Sequence, residues 1–281
     1  MSVLNAIVSY FVKSKIDRIE HFINHPFQVQ KNVFSNLIIK GKNTVFGRKF
    51  GFDDIKTISD FQKNVPISTY EELFPYIEKM LNGKQNMLWN EPVKWFSKSS
   101  GTTNDRSKYI PLPDECLEEV HYKGGKDLIA IYLHNNPESN FFLGKGLALG
   151  GSLQSNEKGI KAGDVSAVIM QNLPAWAQLM RTPDLKTALY ENYEEKLEKI
   201  IDKTVNRNVT NFSGVPTWTY ILIQKILEKT GKSNILEVWP ELEWYAHGGV
   251  SFEPYRDLFN KLIPSDKMNY TEIYNASEGF F

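Results

Sequence analysis

Between residues 209 and 246 the order of apolar runs and helix signals leaves few folds open. A strand-like run over 209–212 is followed at Pro216 by a helical pattern carrying Trp218, Ile221, Leu222, Ile226 and Leu227. That pattern stops at Gly231, and a second strand-like run covers 242–246. Proline is pre-set for a first helical turn, and glycine readily adopts the left-handed conformation that ends a helix. Elements of this kind bury their apolar sides by stacking in layers. Further strands are expected over 146–150, 165–170 and 268–274, with a helix over 254–262. A long charged helix is expected over 184–205, with Leu185, Leu189, Leu197, Ile200 and Ile201 as its inner stripe. Its carboxylates at Glu191, Glu194, Glu195 and Glu198 read as a solvated face.

The first third of the chain reads differently. Leu4, Ile7, Val8 and Phe11, then Ile16, Ile19, Phe22 and Ile23, recur at helical spacing, predicting one or two amphipathic helices that end near His25 and Pro26. Another helix is expected over 28–40. Ser68 and Glu71 have capping-box spacing and open a helix through Met80, with Gly83 as its stop. Asp114 is placed to cap a further helix running toward His134. The fold class expected is therefore α/β, layered sheets with flanking helices and a helical N-terminal section. Residues 1–90 form a mainly helical lead-in and 91–281 the α/β part, without repeats and without an interdomain linker.

Lys plus Arg equal Asp plus Glu at 33 each, which argues against a broad nucleic-acid-binding surface. No run of about 18 apolar residues is present to span a bilayer. The N-terminus lacks the basic, apolar and small-residue blocks of a signal peptide. A lone cysteine, Cys116, excludes an internal disulfide and fits a reducing compartment, so a cytoplasmic location is expected. Cys116 reads as a packing residue.

Several chemistries fail on spacing. Gly231-Lys232-Ser233 has Ile226 where a phosphate-binding P-loop needs glycine. Gly144-Lys145-Gly146 runs on to Leu149 where a dinucleotide fingerprint needs glycine. There is no G-x-S-x-G elbow of a serine hydrolase. His21 and His25 would share a helix face, but no third metal ligand is evident and they read as surface residues.

The stretch WFSKSSGTTNDRSKYIPLP, over 95–113, carries more. Small and polar residues from Ser99 to Asn104 stand between apolar flanks and are followed by Arg106 and Lys108. Such a run is either a polar surface turn or a loop whose backbone N–H groups converge on phosphate oxygens, with a lysine supplying charge. At the other end of the chain, Tyr274-Asn275-Ala276-Ser277-Glu278 follows a predicted strand. Tyr274 offers a flat π-face, Ser277 a donor, and Glu278 a hard oxygen ligand suited to Mg²⁺. Between these, Gly248-Gly249-Val250 follows an apolar run, and paired glycines let a backbone approach a planar ligand.

Ser99-Ser100-Gly101-Thr102-Thr103 with Lys108 resembles the phosphate-binding loop of the adenylate-forming enzymes. More narrowly, SSGTT-x4-K-x-IP is similar to the auxin-responsive promoter family of acyl-acid amido synthetases, in its bacterial branch. The segments FGRKFGF, DFQKNVPISTYEEL, GDVSAVIMQNLP, FSGVPTW and GGVSFEPYRDLF also look like family landmarks, in the expected order. Asp105 and Ser107 depart from the pattern, where glycine and proline are frequent.

The resemblance implies an adenylate-forming large domain, incomplete here, with the C-terminal lid absent, and a two-step reaction. A carboxylic acid is activated by ATP and Mg²⁺ as an acyl-adenylate, and an amino acid or other amine then takes the acyl group as an amide. It implies nucleotide contacts from Ser99, Ser100, Gly101, Thr102, Thr103, Gly248, Gly249, Val250, Tyr274, Asn275, Ala276 and Ser277. Lys108 and Glu278 are the implied catalytic groups, with Glu278 the metal ligand. Trp176, Phe212, Val215 and Trp218 could wall an apolar acyl pocket, and His247 is a candidate substrate contact; each also reads as ordinary core. The partners implied are small molecules, with no nucleic acid and no membrane. A ligase using coenzyme A as acceptor and a noncatalytic nucleotide-binding module are the alternatives.

Overall fold

The computed structural model describes residues 3–99, 108–155 and 159–281. The chain divides into two compact units, one of Met1–Asn136 with Gln154–Ala162, the other of Pro137–Leu153 with Gly163–Phe281.

The first unit is helical up to its first strand. It begins with α1 (Val3–Asn24), α2 (Pro26–Gly41), α3 (Val45–Lys49), α4 (Ile58–Asn64) and α5 (Tyr70–Leu81). Pro26 opens α2 because a first helical turn tolerates the missing N–H. The capping box of α5 is formed by Thr69 and Glu72, one residue beyond the expected pair: the Glu72 side chain accepts from the Thr69 N–H at 2.7 Å. Ile77 and Met80 on α5 then pack with Met87, Val93, Phe96 and Ile160 into the core of this unit.

Two antiparallel strands follow, β1 (Trp95–Ser99) and β2 (Lys108–Leu112). A helix then runs from α6 (Asp114–Cys116) through a π-helical turn at Leu117–Tyr122 into α7 (Lys123–Asn135). Pro113, not Asp114, is its N-cap; Asp114 is already the first helical residue. Among the described residues no helix is long and apolar enough to cross a membrane.

After β3 (Lys145–Ala148) come two short strands, β4 (Leu153–Ser155) and β5 (Lys161–Gly163), which complete a four-stranded sheet ordered β2-β1-β5-β4. The second unit continues with α8 (Val165–Asn172), α9 (Ala175–Leu179), β6 (Arg181–Thr182), α10 (Leu185–Ala188), α11 (Tyr193–Thr204) and β7 (Val209–Gly214). Then follow α12 (Pro216–Thr230), β8 (Trp244–Gly248), α13 (Arg256–Leu262), β9 (Asn269–Ile273), β10 (Asn275–Ala276) and β11 (Gly279–Phe280).

Five strands make a parallel sheet ordered β6-β3-β7-β8-β9. Its core gathers Phe212, Trp239, Tyr245 and Phe259 with the inner residues of α11 and α12, among them Ile200, Ile201, Leu222 and Ile226. Gly231 closes α12 at φ +67°, as its position predicts.

Two expectations about whole elements fail here. Residues 165–170, expected as a strand, form α8 with Ala167, Val168 and Met170 buried. A short run that is apolar on every side has no period to separate a buried strand from a buried helix. The single long helix over 184–205 is two helices. Asp184 caps α10, accepting from the Thr187 N–H at 3.1 Å, and Asn192 caps α11, accepting from Glu195 at 3.1 Å. The Asn192 side chain offers its backbone an alternative to continuing the helix, and the chain takes it. Glu191, Glu194, Glu195 and Glu198 are exposed, as expected.

Candidate functional site

In the first unit, β1 and β2 frame the hydroxyl-rich stretch. Ser99 is paired with Lys108 across the antiparallel ladder, so two sequence-predicted residues face each other at its last pair. The Tyr70 hydroxyl at the start of α5 accepts from the Tyr109 N–H at 2.8 Å, and the Lys108 ammonium lies over the Tyr70 ring, 5.3 Å from its centre. Burial pushes the Tyr70 phenol above its usual pKa. Ser100, Gly101, Thr102 and Thr103, and Asp105 with them, lie outside the described residues.

In the second unit, the remaining predictions fall at the carboxyl ends of the parallel strands. β8 ends at His247 and Gly248, and Gly249 follows with φ +85°, a left-handed conformation suited to glycine. β9 ends at Ile273, directly before Tyr274. Gly249, Val250 and Tyr274 line one groove of about 450 Å³ together with Glu272 and Phe281. Tyr274 is 63% exposed, its ring 5.6 Å from that of Phe281. Asn275 and Ala276 pair with Phe280 and Gly279 in a hairpin whose turn is Ser277, buried, and Glu278, exposed.

Among the described residues no three His, Cys, Asp or Glu side chains cluster around a metal position. A single exposed carboxylate nevertheless fits Mg²⁺ in a phosphate site, since that ion takes one or two carboxylates and completes its shell with phosphate oxygens and water.

The acyl-pocket candidates separate. Val215 and Trp218 line a cavity of about 480 Å³, within the range of about 300–1,000 Å³ usual for small-molecule sites. Phe212 points into the core, its ring 4.4 Å from Tyr245, and Trp176 stands exposed on α9 away from that cavity. Phe212 sits on β7, flanked by β3 and β8, and is enclosed in the core of this unit. His247 is packed rather than presented: it is 4% exposed and its ring stacks on Phe252 at 4.0 Å. Burial lowers its pKa, Glu272 opposes that shift, and Arg256 adds to it. Its Nδ1 has no hydrogen-bond partner among the described residues.

The cavity's position follows from topology. From β3 the chain goes to β6 on one side, then returns to β7 on the other. In open α/β sheets ligands settle outside the carboxyl ends of strands where the order reverses in this way. Leu149 and Gly150 after β3, with Val215 after β7, put the cavity there.

Residues that sequence reasoning passed over complete its lining. Lys196 on α11 is 7% exposed and donates to the Gly150 and Gly151 carbonyls, the latter at 3.0 Å. Burial lowers its pKa and the Asp164 charge partly offsets this. Asp164 accepts from the Ser152 N–H at 3.1 Å and Ser166 from the Gly151 N–H at 3.2 Å. A faint signal existed: Lys196 stands four residues before Ile200, on the inner stripe of its helix.

The chain matches the GH3 family N-terminal domain over residues 15–268. It is 32% identical over 101 residues to the indole-3-acetic acid-amido synthetase GH3.2 of Arabidopsis thaliana, covering 36% of this chain and 18% of that protein. Against the jasmonoyl--L-amino acid synthetase JAR6 of Nicotiana attenuata, identity is 25% over 168 residues, 59% of this chain and 28% of that protein. The solved structure of the AtGH3.15 acyl acid amido synthetase in complex with 2,4-DB shares the fold, with a TM-score of 0.78 at 16% identity. That match covers 96% of this chain and 56% of the other, so the chain spans about half the length of that relative.

Proposed function

This chain belongs to the GH3 family through its N-terminal domain, and on that premise we propose that it serves ATP-dependent activation of a carboxylic acid followed by amide formation with an amino acid or other amine. The observation that carries the proposal is the cavity at the strand-order reversal between β3 and β7, with the glycine turn and Tyr274 at the ends of the neighbouring β8 and β9. The names of the relatives, which act on indole-3-acetic acid and jasmonate, support the acid and amine classes.

In the first step a carboxylate oxygen attacks the α-phosphorus of ATP in line and pyrophosphate leaves. The chain's task is to align two anions and offset their repulsion. Ser99 to Thr103 and Lys108 are assigned to the phosphates, Gly248 to Val250 and Tyr274 to the adenine, and Asn275, Ala276 and Ser277 to the same nucleotide. Glu278 would hold Mg²⁺, which supplies positive charge to the phosphate oxygens. Val215 and Trp218 take the apolar body of the acid. In the second step the amine attacks the acyl carbonyl, loses a proton, and AMP leaves.

A bacterial-branch placement is part of the proposal, supported by the SSGTT-x4-K-x-IP residues and by identities of 25–32% to the plant relatives named above. A cytoplasmic setting also belongs to it, since a single cysteine whose thiol burial pushes upward asks for no oxidising environment.

ATP–pyrophosphate exchange in the full-length protein, across a panel of carboxylic acids, tests the reading. Acid-dependent exchange supports it; ATP binding without exchange would instead favour a noncatalytic module. Product analysis with amino acids against coenzyme A separates amide from thioester formation.

A further inference from the structure

Burying a lysine is costly, and it is normally offset by a paired anion. Lys196 is buried, yet among the described residues its ammonium bonds to backbone carbonyls and not to a carboxylate. Asp164 acts on it through space, but one Asp164 oxygen is engaged by the Ser152 N–H. An ammonium has three N–H donors. Two go to the Gly150 and Gly151 carbonyls; the third has no acceptor among the described residues, and the side chain lines the cavity.

Sheet order gives the cavity a direction. Its Val215 wall abuts the glycine turn: a β-carbon on Gly249 would lie 3.2 Å from a Val215 γ-carbon. Lys196 holds the loop after β3, which is separated from β8 by β7. The Val215 wall is thus the side of the cavity next to the residues assigned to the nucleotide, and an acid that presents its reacting carboxylate to the nucleotide on that side turns its opposite end toward Lys196. The cavity also exposes the Asp164 and Glu191 carboxylates, two anions against one cation, so a second carboxylate on the acid would be repelled.

Resting on the acid-activation reading above, we propose that Lys196 is a specificity-determining residue, which donates its remaining N–H to an uncharged oxygen at the end of the acid opposite the reacting carboxylate. The substrate class is then a monocarboxylic acid with a distal carbonyl, ether or hydroxyl, in preference to a hydrocarbon acid or a dicarboxylic acid.

Two sets of shape-matched acids test this by titration calorimetry on the full-length protein. One set is 4-acetylbenzoate, 4-isopropylbenzoate and terephthalate; the other is 7-oxooctanoate, 7-methyloctanoate and heptanedioate. In at least one set the ketone acid is expected to bind about tenfold more tightly than its hydrocarbon match, the diacid weakest, as a hydrogen bond from a charged donor implies. Lys196→Met is expected to bring the ketone and hydrocarbon acids within about twofold of one another, with ATP affinity unchanged. Equal or reversed preference in both sets, absence of saturable binding by all six acids, or a preference that survives Lys196→Met overturns the proposal. The wild-type ratio decides even where the variant fails to fold. Exchange measured beside binding keeps the two readings apart: preference without exchange sinks the enzymatic reading and leaves Lys196 its role, while exchange without preference does the reverse.

Discussion

The backbone oxygen of Ile273 lies 2.2 Å from where a β-carbon on Gly248 would stand. The two residues are register partners across β8 and β9, and the closeness of their backbones is what sets Tyr274 beside the glycine turn. Glycine at 248 is thus a packing requirement of the parallel ladder itself.

Gly248→Ala should force these two strands apart, at a cost of about 1–3 kcal/mol for overpacking. The expected result is a lower melting temperature with weakened ATP binding. Gly249→Ala, which instead meets the left-handed backbone penalty of about 1–2 kcal/mol, is the comparison. A Gly248→Ala protein as stable as wild type, with full ATP affinity by calorimetry, would show the ladder to be looser than this.

Lys108→Ala and Glu278→Ala are each expected to depress acid-dependent ATP–pyrophosphate exchange by about a hundredfold or more, the scale on which a lost electrostatic stabiliser acts. Both side chains are outside the packed cores, so folding should survive. Normal exchange rates in both variants would discredit the site assignment.

Trp218 is 46% exposed, and its ring meets Tyr193 at 4.7 Å on the cavity wall. Trp218→Ala should raise the KM for the acid about tenfold while leaving the KM for ATP near wild type. A change in ATP KM alone would move Trp218 to the nucleotide.

Tyr245 is fully buried, and its hydroxyl donates to the Gly214 carbonyl at 3.1 Å, tying β8 to the last residue of β7. Tyr245→Phe removes that bond and leaves an oxygen unpaired, a loss of about 1–2 kcal/mol readable by denaturant titration. An unchanged midpoint would mean that the carbonyl finds another donor.

His247 should contribute to the acid side of the stability profile. Its folded-state pKa is lowered from the usual 6.5 by burial, with Glu272 opposing and Arg256 adding to the shift. The unfolded chain therefore binds more protons in the window just below that value, so stability rises with pH across it and falls as pH drops through it. His247→Phe is expected to flatten this part of the profile; an identical acid limb by pH-dependent thermal melts would assign the slope elsewhere.

Much of this molecule was determined by the sequence alone, wherever the deciding interactions lie within a few residues. Pro216 and Gly231 bound α12 because backbone conformation at each is a property of that residue. The strands near 209–214, 244–248 and 269–273 announce themselves by apolar runs. Tertiary structure alone decided the rest. Whether residues 165–170 become strand or helix depends on the layer they fill. That Val215 walls a cavity while Phe212 fills the core, and that Lys196 turns inward, depends on the strand order β6-β3-β7-β8-β9. Strand order is a set of contacts between residues far apart in the chain, and no local pattern encodes which neighbour a strand will find.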